Sequence, residues 1–166
     1  MVDDFHQLRR TSRDGTFPRE VGPSEVGPRR ALARCRVYMA PETTAMVAAN
    51  TVNKGDVLAT ARVAGIQAAK SAATLLPMSH TVLVGNTYIN FNIADCYVEV
   101  EASVDTVDRT GVEMEALAAV TIAALTIYDM CKSSDRTMTI EQVALWEKSG
   151  GRSGTWRRED PDATPR

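Results

Sequence analysis

Between residues 29 and 158 the apolar positions switch between two periods. In "ARCRVYM" apolar and polar residues alternate, which predicts a strand over roughly 33–39. "PETTAMVAAN" follows, with Pro41 suited to the first turn of a helix. "GDVLATARVAGIQAAKSAATLL" reads as one long helix, capped by Asp56 and ended by Pro77. Its Ala61, Ala64, Gly65, Ala68 and Ala72 keep one face thin, so a neighbour can pack closely against it. "TVLVGNTYINFNI" and "YVEVEASVDTV" alternate again on either side of "ADC", which predicts a hairpin. "TGVEMEALAAVTIAALTIYDMCK" predicts a second long helix. Thr110 and Glu113 have the spacing of a capping box, and the run after them is apolar around most of its circumference. A last strand falls within "TMTIEQVALWEK".

Counting the first helical pair as one crossover, the order is β-α-β-β-α-β. That predicts an α+β, ferredoxin-like domain, an antiparallel sheet with helices on one face. The other face is not cleanly polar and needs a cover, for which oligomerisation is the simplest source. Residues 1–28, rich in Arg, Asp, Gly and Pro, are expected to form a mobile arm, 29–158 the folded domain, and 159–166 a disordered tail.

Composition narrows the function classes. A chain of 166 residues, 44% hydrophobic and 24% charged, suits one soluble domain. With a formal net charge of −2 and no basic stripe interleaved with aromatics, no nucleic-acid partner is expected. Cys35, Cys96 and Cys131 are scattered, which argues against a disulfide framework or a zinc site and fits a reducing cytoplasm. The N-terminus lacks the apolar run of a signal peptide. Met114 to Met130 is interrupted by Thr121, Thr126, Tyr128 and Asp129, so it reads as a buried helix, and no membrane partner is expected.

Several residues could carry chemistry. Lys54 precedes a helix start, where exposed N–H groups favour an anion; the ordinary account is a solvated lysine. Glu113 and Glu115 lie in a first helical turn, where the helix dipole favours carboxylates. Asp129 and Lys132 are spaced i, i+3 near the end of the same helix. Asp129 stands in an apolar run expected to face the core, where a carboxylate is costly unless paired or functional. Glu115 and Asp129 lie about 21 Å apart at about 1.5 Å per residue, so a small substrate could engage both only if two subunits combine. "EKSGGRSG" holds Lys148 and Arg152 in a Gly- and Ser-rich loop that lacks the P-loop spacing. In "LLPMSHTVLV", His80 reads from its neighbours as a polar residue where a helix turns into a strand.

"KGDVLATARVAGIQAAK", "RTGVEMEALAAVTIAALTIYDMCK" and "EKSGGRSG", in this order and spacing, closely resemble the MoaC family of molybdenum cofactor biosynthesis, over roughly Arg29 to Arg158. The resemblance implies a cyclic pyranopterin monophosphate synthase, a lyase. Its expected reaction rearranges 3′,8-cyclo-7,8-dihydro-GTP to cyclic pyranopterin monophosphate and releases pyrophosphate. It also implies a homohexamer, a trimer of dimers, with sites at subunit interfaces. Carried over by position, the family's catalytic lysines match Lys54 and Lys132, its aspartate Asp129 and its histidine His80. Substrate-binding positions match Arg29, Ser79, Glu113, Met114, Glu115 and Lys148, with Arg152 as a further phosphate contact. No cofactor is required; Mg²⁺ is chemically reasonable beside a triphosphate, although no dedicated ligand set is visible.

Two departures stand out. The family's Cys-His-Pro motif reads Ser79-His80-Thr81 here, and the family's N-terminal "MVDV" lacks a match at its usual distance, where Glu20-Val21 stands. The alternative reading is therefore a divergent relative that binds a nucleotide or pterin with weak or no turnover.

Overall fold

A computed structural model describes residues 25–159. The chain runs β1 (Gly27–Tyr38), α1 (Pro41–Ala48), α2 (Val57–Lys70), a single turn α3 (Ala72–Leu75), β2 (Thr87–Ile93), β3 (Tyr97–Asp108), α4 (Glu113–Cys131), β4 (Thr139–Ser149) and β5 (Trp156–Arg157). The five strands form one antiparallel sheet in the order β2-β3-β1-β4-β5. Without β5 this is the expected ferredoxin-like arrangement, with α2 and α4 packed on one face.

Alternation along the strands builds the core. Ala33, Cys35 and Val37 of β1 stand opposite Ala102, Val100 and Val98 of β3, and all six are buried. Above them lie Ala116, Ala119, Val120, Ala123, Ala124 and Ile127 of α4. The small-residue stripe of α2 brings the two helices together. A Cβ on Gly65 would clash with the Ile89 side chain and lie 2.9 Å from the Ala119 carbonyl oxygen. Ala61, Ala68 and Ala72 share this buried face; Ala64 is only half-buried, at its margin.

The opposite sheet face carries cross-strand ion pairs. Arg30, Arg34 and Arg36 of β1 pair with Asp105, Glu101 and Glu99 of β3 at 3.3, 2.7 and 3.0 Å. Arg34 also lies over Trp146 and Arg36 over Tyr97. Aromatic rings beneath partly exposed arginines explain why this face does not read as cleanly polar.

Four local expectations are corrected. The predicted single helix over 55–76 divides at Ser71, whose carbonyl accepts the Thr74 hydroxyl at 2.7 Å and whose backbone leaves the helical region. Residues 81–86 are not part of a strand; β2 begins at Thr87, and the preceding segment is tied to β3 by Gly85 N–H donating to the Asp105 carbonyl at 3.0 Å. The Thr110–Glu113 capping box does not form, because Val112 takes the N-cap position of α4 without a side-chain bond. Finally, β1 begins at Gly27, and β5 was not predicted, since two residues carry no period. The expectations for residues 1–24 and 160–166 lie outside the described residues.

Candidate active site

The predicted site residues gather at the two ends of α4. At its C-terminal end Asp129 sits between two lysines. Lys132 donates to Asp129 Oδ1 at 2.6 Å, and Lys54 donates to Oδ2 at 3.0 Å and to the Asp129 carbonyl at 2.8 Å. Local sequence explains Lys54's reach. Gly55 holds φ +102, its N–H donates to the Val52 carbonyl, and Asp56 caps α2 by accepting from Ala59 N–H at 2.9 Å. The Lys54 ammonium is thereby presented to the final turn of α4, where exposed carbonyls and the negative end of the helix dipole favour a cation.

The expectation that Asp129 faces the core is overturned. Its side chain is 55% exposed, while Ile127, Met130 and Cys131 turn inward. Hydrogen bonds from Lys132 and then Lys54, with their positive charges, hold its carboxyl below the usual aspartate range.

The other end of α4 lines a cavity of about 460 Å³. Ser79, His80, Glu113, Met114 and Glu115 all border it, as do Thr110 and Gly111. Glu113 folds its carboxylate back over Gly111, where any side chain would collide with it. Glu115 is 3% exposed. Burial raises its carboxyl above the ordinary value, a backbone hydrogen bond partly offsets this, and the Glu113 charge adds to the rise. His80 thus stands in a loop against the N-terminal turn of α4, rather than at a helix–strand junction.

Arg29, Arg152, Gly150 and Gly151 border a second cavity of about 410 Å³. Arg29 is only 6% exposed and donates to the carbonyls of Glu25, Asp108 and Arg109 at 2.9, 3.0 and 3.2 Å. Because Arg109 immediately precedes Thr110, this cavity lies at the same end of α4 as His80. The β4–β5 turn closes over the Arg29 side chain. Gly150 and Gly151 hold φ +93 and +74, and side chains there would overlap the Pro28 carbonyl and the Arg29 guanidinium. The Gly-rich stretch is therefore a hairpin turn seated on a buried arginine. Lys148 of β4 contacts the Ser153 hydroxyl across it.

Each chain therefore separates Lys54, Asp129 and Lys132 from His80, Ser79, Arg29, Lys148, Arg152 and the Glu113–Glu115 turn by the length of α4. Sequence reasoning gave Thr110 only a capping role and passed over Met78, Val82 and Leu145, which also line the first cavity. It passed over Asp135 as well, although an aspartate two residues before a threonine is a turn signature.

A ferredoxin-like domain with a paired cationic cluster at one helix end, and a cavity with a buried carboxyl at the other, has the groups for acid–base work on an anionic small molecule. The MoaC family profile matches residues 19–151. A protein of Thermomicrobium roseum named cyclic pyranopterin monophosphate synthase is 56% identical over 135 residues, 80% of this chain and 81% of that one. Proteins of the same name from Chloroflexus aurantiacus and Thermoanaerobacter pseudethanolicus are 52% and 50% identical, covering 84% and 79% of this chain and 86% and 84% of their own. The chain belongs to the MoaC family.

Proposed function

We propose that this protein is a cytoplasmic cyclic pyranopterin monophosphate synthase, a lyase that rearranges 3′,8-cyclo-7,8-dihydro-GTP and releases pyrophosphate. The observation that carries the reading is the Lys54–Asp129–Lys132 cluster, found in a chain 50–56% identical to synthases over most of its length. Two ammonium groups held on the two oxygens of one carboxylate leave a net positive site. They can stabilise a leaving pyrophosphate and exchange protons with the ring atoms during opening and closure. Asp129 orients both lysines. At the other end of α4, His80 serves as a second proton-transfer group beside the Glu113–Met114–Glu115 turn, which holds the ring system. Arg152 and Lys148 meet the phosphates, with Ser79 lining the pocket. Arg29 supports the turn that carries Arg152.

Both groups of residues act on one substrate if the C-terminal end of one chain's α4 meets the N-terminal end of another's. The assembly is then a homo-oligomer, a hexamer by resemblance, and the exposed sheet face and helix stripes are available for its contacts. No cofactor is needed for this chemistry. Among the described residues no three His, Cys, Asp or Glu side chains converge on a metal position. Mg²⁺ remains chemically reasonable on the triphosphate oxygens of the substrate.

The test is to incubate the purified protein with the cyclised nucleotide and measure pterin product and pyrophosphate. Stoichiometric release of both is expected; binding without release would establish the divergent relative instead. The shared site has its own test. Lys132→Ala and His80→Ala chains are mixed by co-expression. About a quarter of sites then receive two intact ends, and activity returns to that fraction. No recovery from two folded, oligomeric variants would place each site within one chain.

A further inference from the structure

We propose that Asp135 is a positioning residue for the Lys54–Asp129–Lys132 cluster, an inference that rests on the reading of that cluster as reactive. The three side chains of the cluster are 43–55% exposed, and ion pairs between exposed groups hold their members weakly. Their mutual placement therefore depends also on the backbone beneath them. Asp135 lies three residues beyond Lys132, in the turn between α4 and β4, and is 7% exposed. Its Oδ2 accepts from Ala40 N–H at 2.8 Å and from the Thr43 hydroxyl at 3.4 Å, at the start of α1. Its Oδ1 accepts from Thr137 N–H at 2.8 Å and from the Thr137 hydroxyl at 2.7 Å. Its own N–H returns to the Cys131 carbonyl at 3.0 Å, closing the turn on the last residue of α4.

One carboxylate thus ties the start of α1 to the turn that carries Lys132. The eight-residue α1, anchored in the core by Val47, leads through buried Val52 to Lys54. Each lysine of the cluster therefore hangs from a segment that Asp135 fixes. The requirement is for a carboxylate. Both oxygens already accept two donors, so an amide would turn an NH₂ toward Ala40 N–H or toward Thr137. Those donors hold the carboxyl below the usual aspartate range, the Ala40 N–H contributing most. Asp135 lines neither the cavity beside His80 nor the cavity beside Arg29, so the inference is of a role through the cluster and not of contact with substrate there.

The experiment compares Asp135→Asn, Asp129→Asn and Ile127→Val with the unaltered full-length chain. Ile127 is a fully buried core residue, and its substitution serves as a destabilised control that leaves the turn intact. At a temperature where circular dichroism shows every variant folded, Asp135→Asn should lower kcat about 10–100-fold and leave KM within about 3-fold, the pattern of misplaced reacting groups. Ile127→Val should leave both unchanged. A second readout needs no turnover: acetic anhydride labelling followed by mass spectrometry should modify Lys54 and Lys132 faster in Asp135→Asn. Should Asp135→Asn fail to fold, Thr137→Val removes one of the four bonds, and it should lower kcat about 3-fold with the same labelling change. Unchanged kcat and unchanged lysine labelling in a folded variant would overturn the inference. If Asp129→Asn also turns over normally, the reading of the cluster has failed, and the labelling alone decides whether Asp135 positions these lysines.

Discussion

The two ends of α4 hold carboxylates in opposite states. Asp129 is exposed, bracketed by ammonium groups, and ionises more readily than an ordinary aspartate. Glu115 is buried and ionises less readily than an ordinary glutamate. Both lie in one helix, fourteen residues apart. Asp129 meets Lys132, three residues on at the same helix end, and Lys54 from across the fold, whereas Glu115 is buried at a cavity wall beside the Glu113 charge. One end favours the charged carboxylate, and at the other burial disfavours it. Two separated ionisation equilibria of this kind suit a reaction that both releases an anion and moves protons.

The largest effect expected from breaking this contrast is at the charged end. Lys132→Ala should lower turnover of the cyclised nucleotide by about 10²–10³-fold, and differential scanning calorimetry should find the melting temperature almost unchanged, since the pair is exposed. Normal turnover would remove the acid–base assignment. Next comes the cavity end. His80→Ala should reduce kcat by about 10–100-fold, measured from pyrophosphate release. An effect confined to KM would make His80 a binding group only.

Glu115→Gln sharpens the comparison through stability. The folded-state value of Glu115 is raised, so its contribution is fully present below its unfolded value, near about 4.3, and is lost as pH rises through the folded value. The neutral amide escapes that loss. Melting temperatures should match the unaltered protein below about pH 4, and the variant should melt higher at pH 7. The reverse order at pH 7 would show that the Glu115 carboxylate is paired in the folded protein. The smallest effect is expected at the cavity wall. Ser79→Cys should change kcat/KM by less than about 3-fold, since no thiolate has a part in the proposed chemistry; a large gain would identify the Ser-His-Thr stretch as a functional loss.

Much of the architecture follows from the chain itself. Period-two and period-3.6 patterns report burial one residue at a time, and that is enough to order the elements of a ferredoxin-like sheet and to foresee the close packing at Gly65. The same patterns failed where several donors converge on one carbonyl, as the Thr74 hydroxyl and the Thr74 and Leu75 N–H groups do on Ser71, or where a cap is decided by the preceding loop, as at Val112. The MoaC motifs supplied the candidate site residues by type and spacing, but not their surroundings. Asp129 faces outward although it stands in an apolar run. Arg29 lies buried under three carbonyls although it begins a charged stretch. Asp135 ties α1 to the α4–β4 turn and left only a turn signature in the sequence.

The sequence by itself determined the order of elements, the thin helix face and the family, because each depends on residues close together in the chain or on long unbroken motifs. The tertiary structure alone decided which distant charges meet, which carboxyl is buried and which arginine props a turn. Those depend on pairings across 75 to 95 residues, such as Lys54 with Asp129 and Ala40 with Asp135, where no local period carries information.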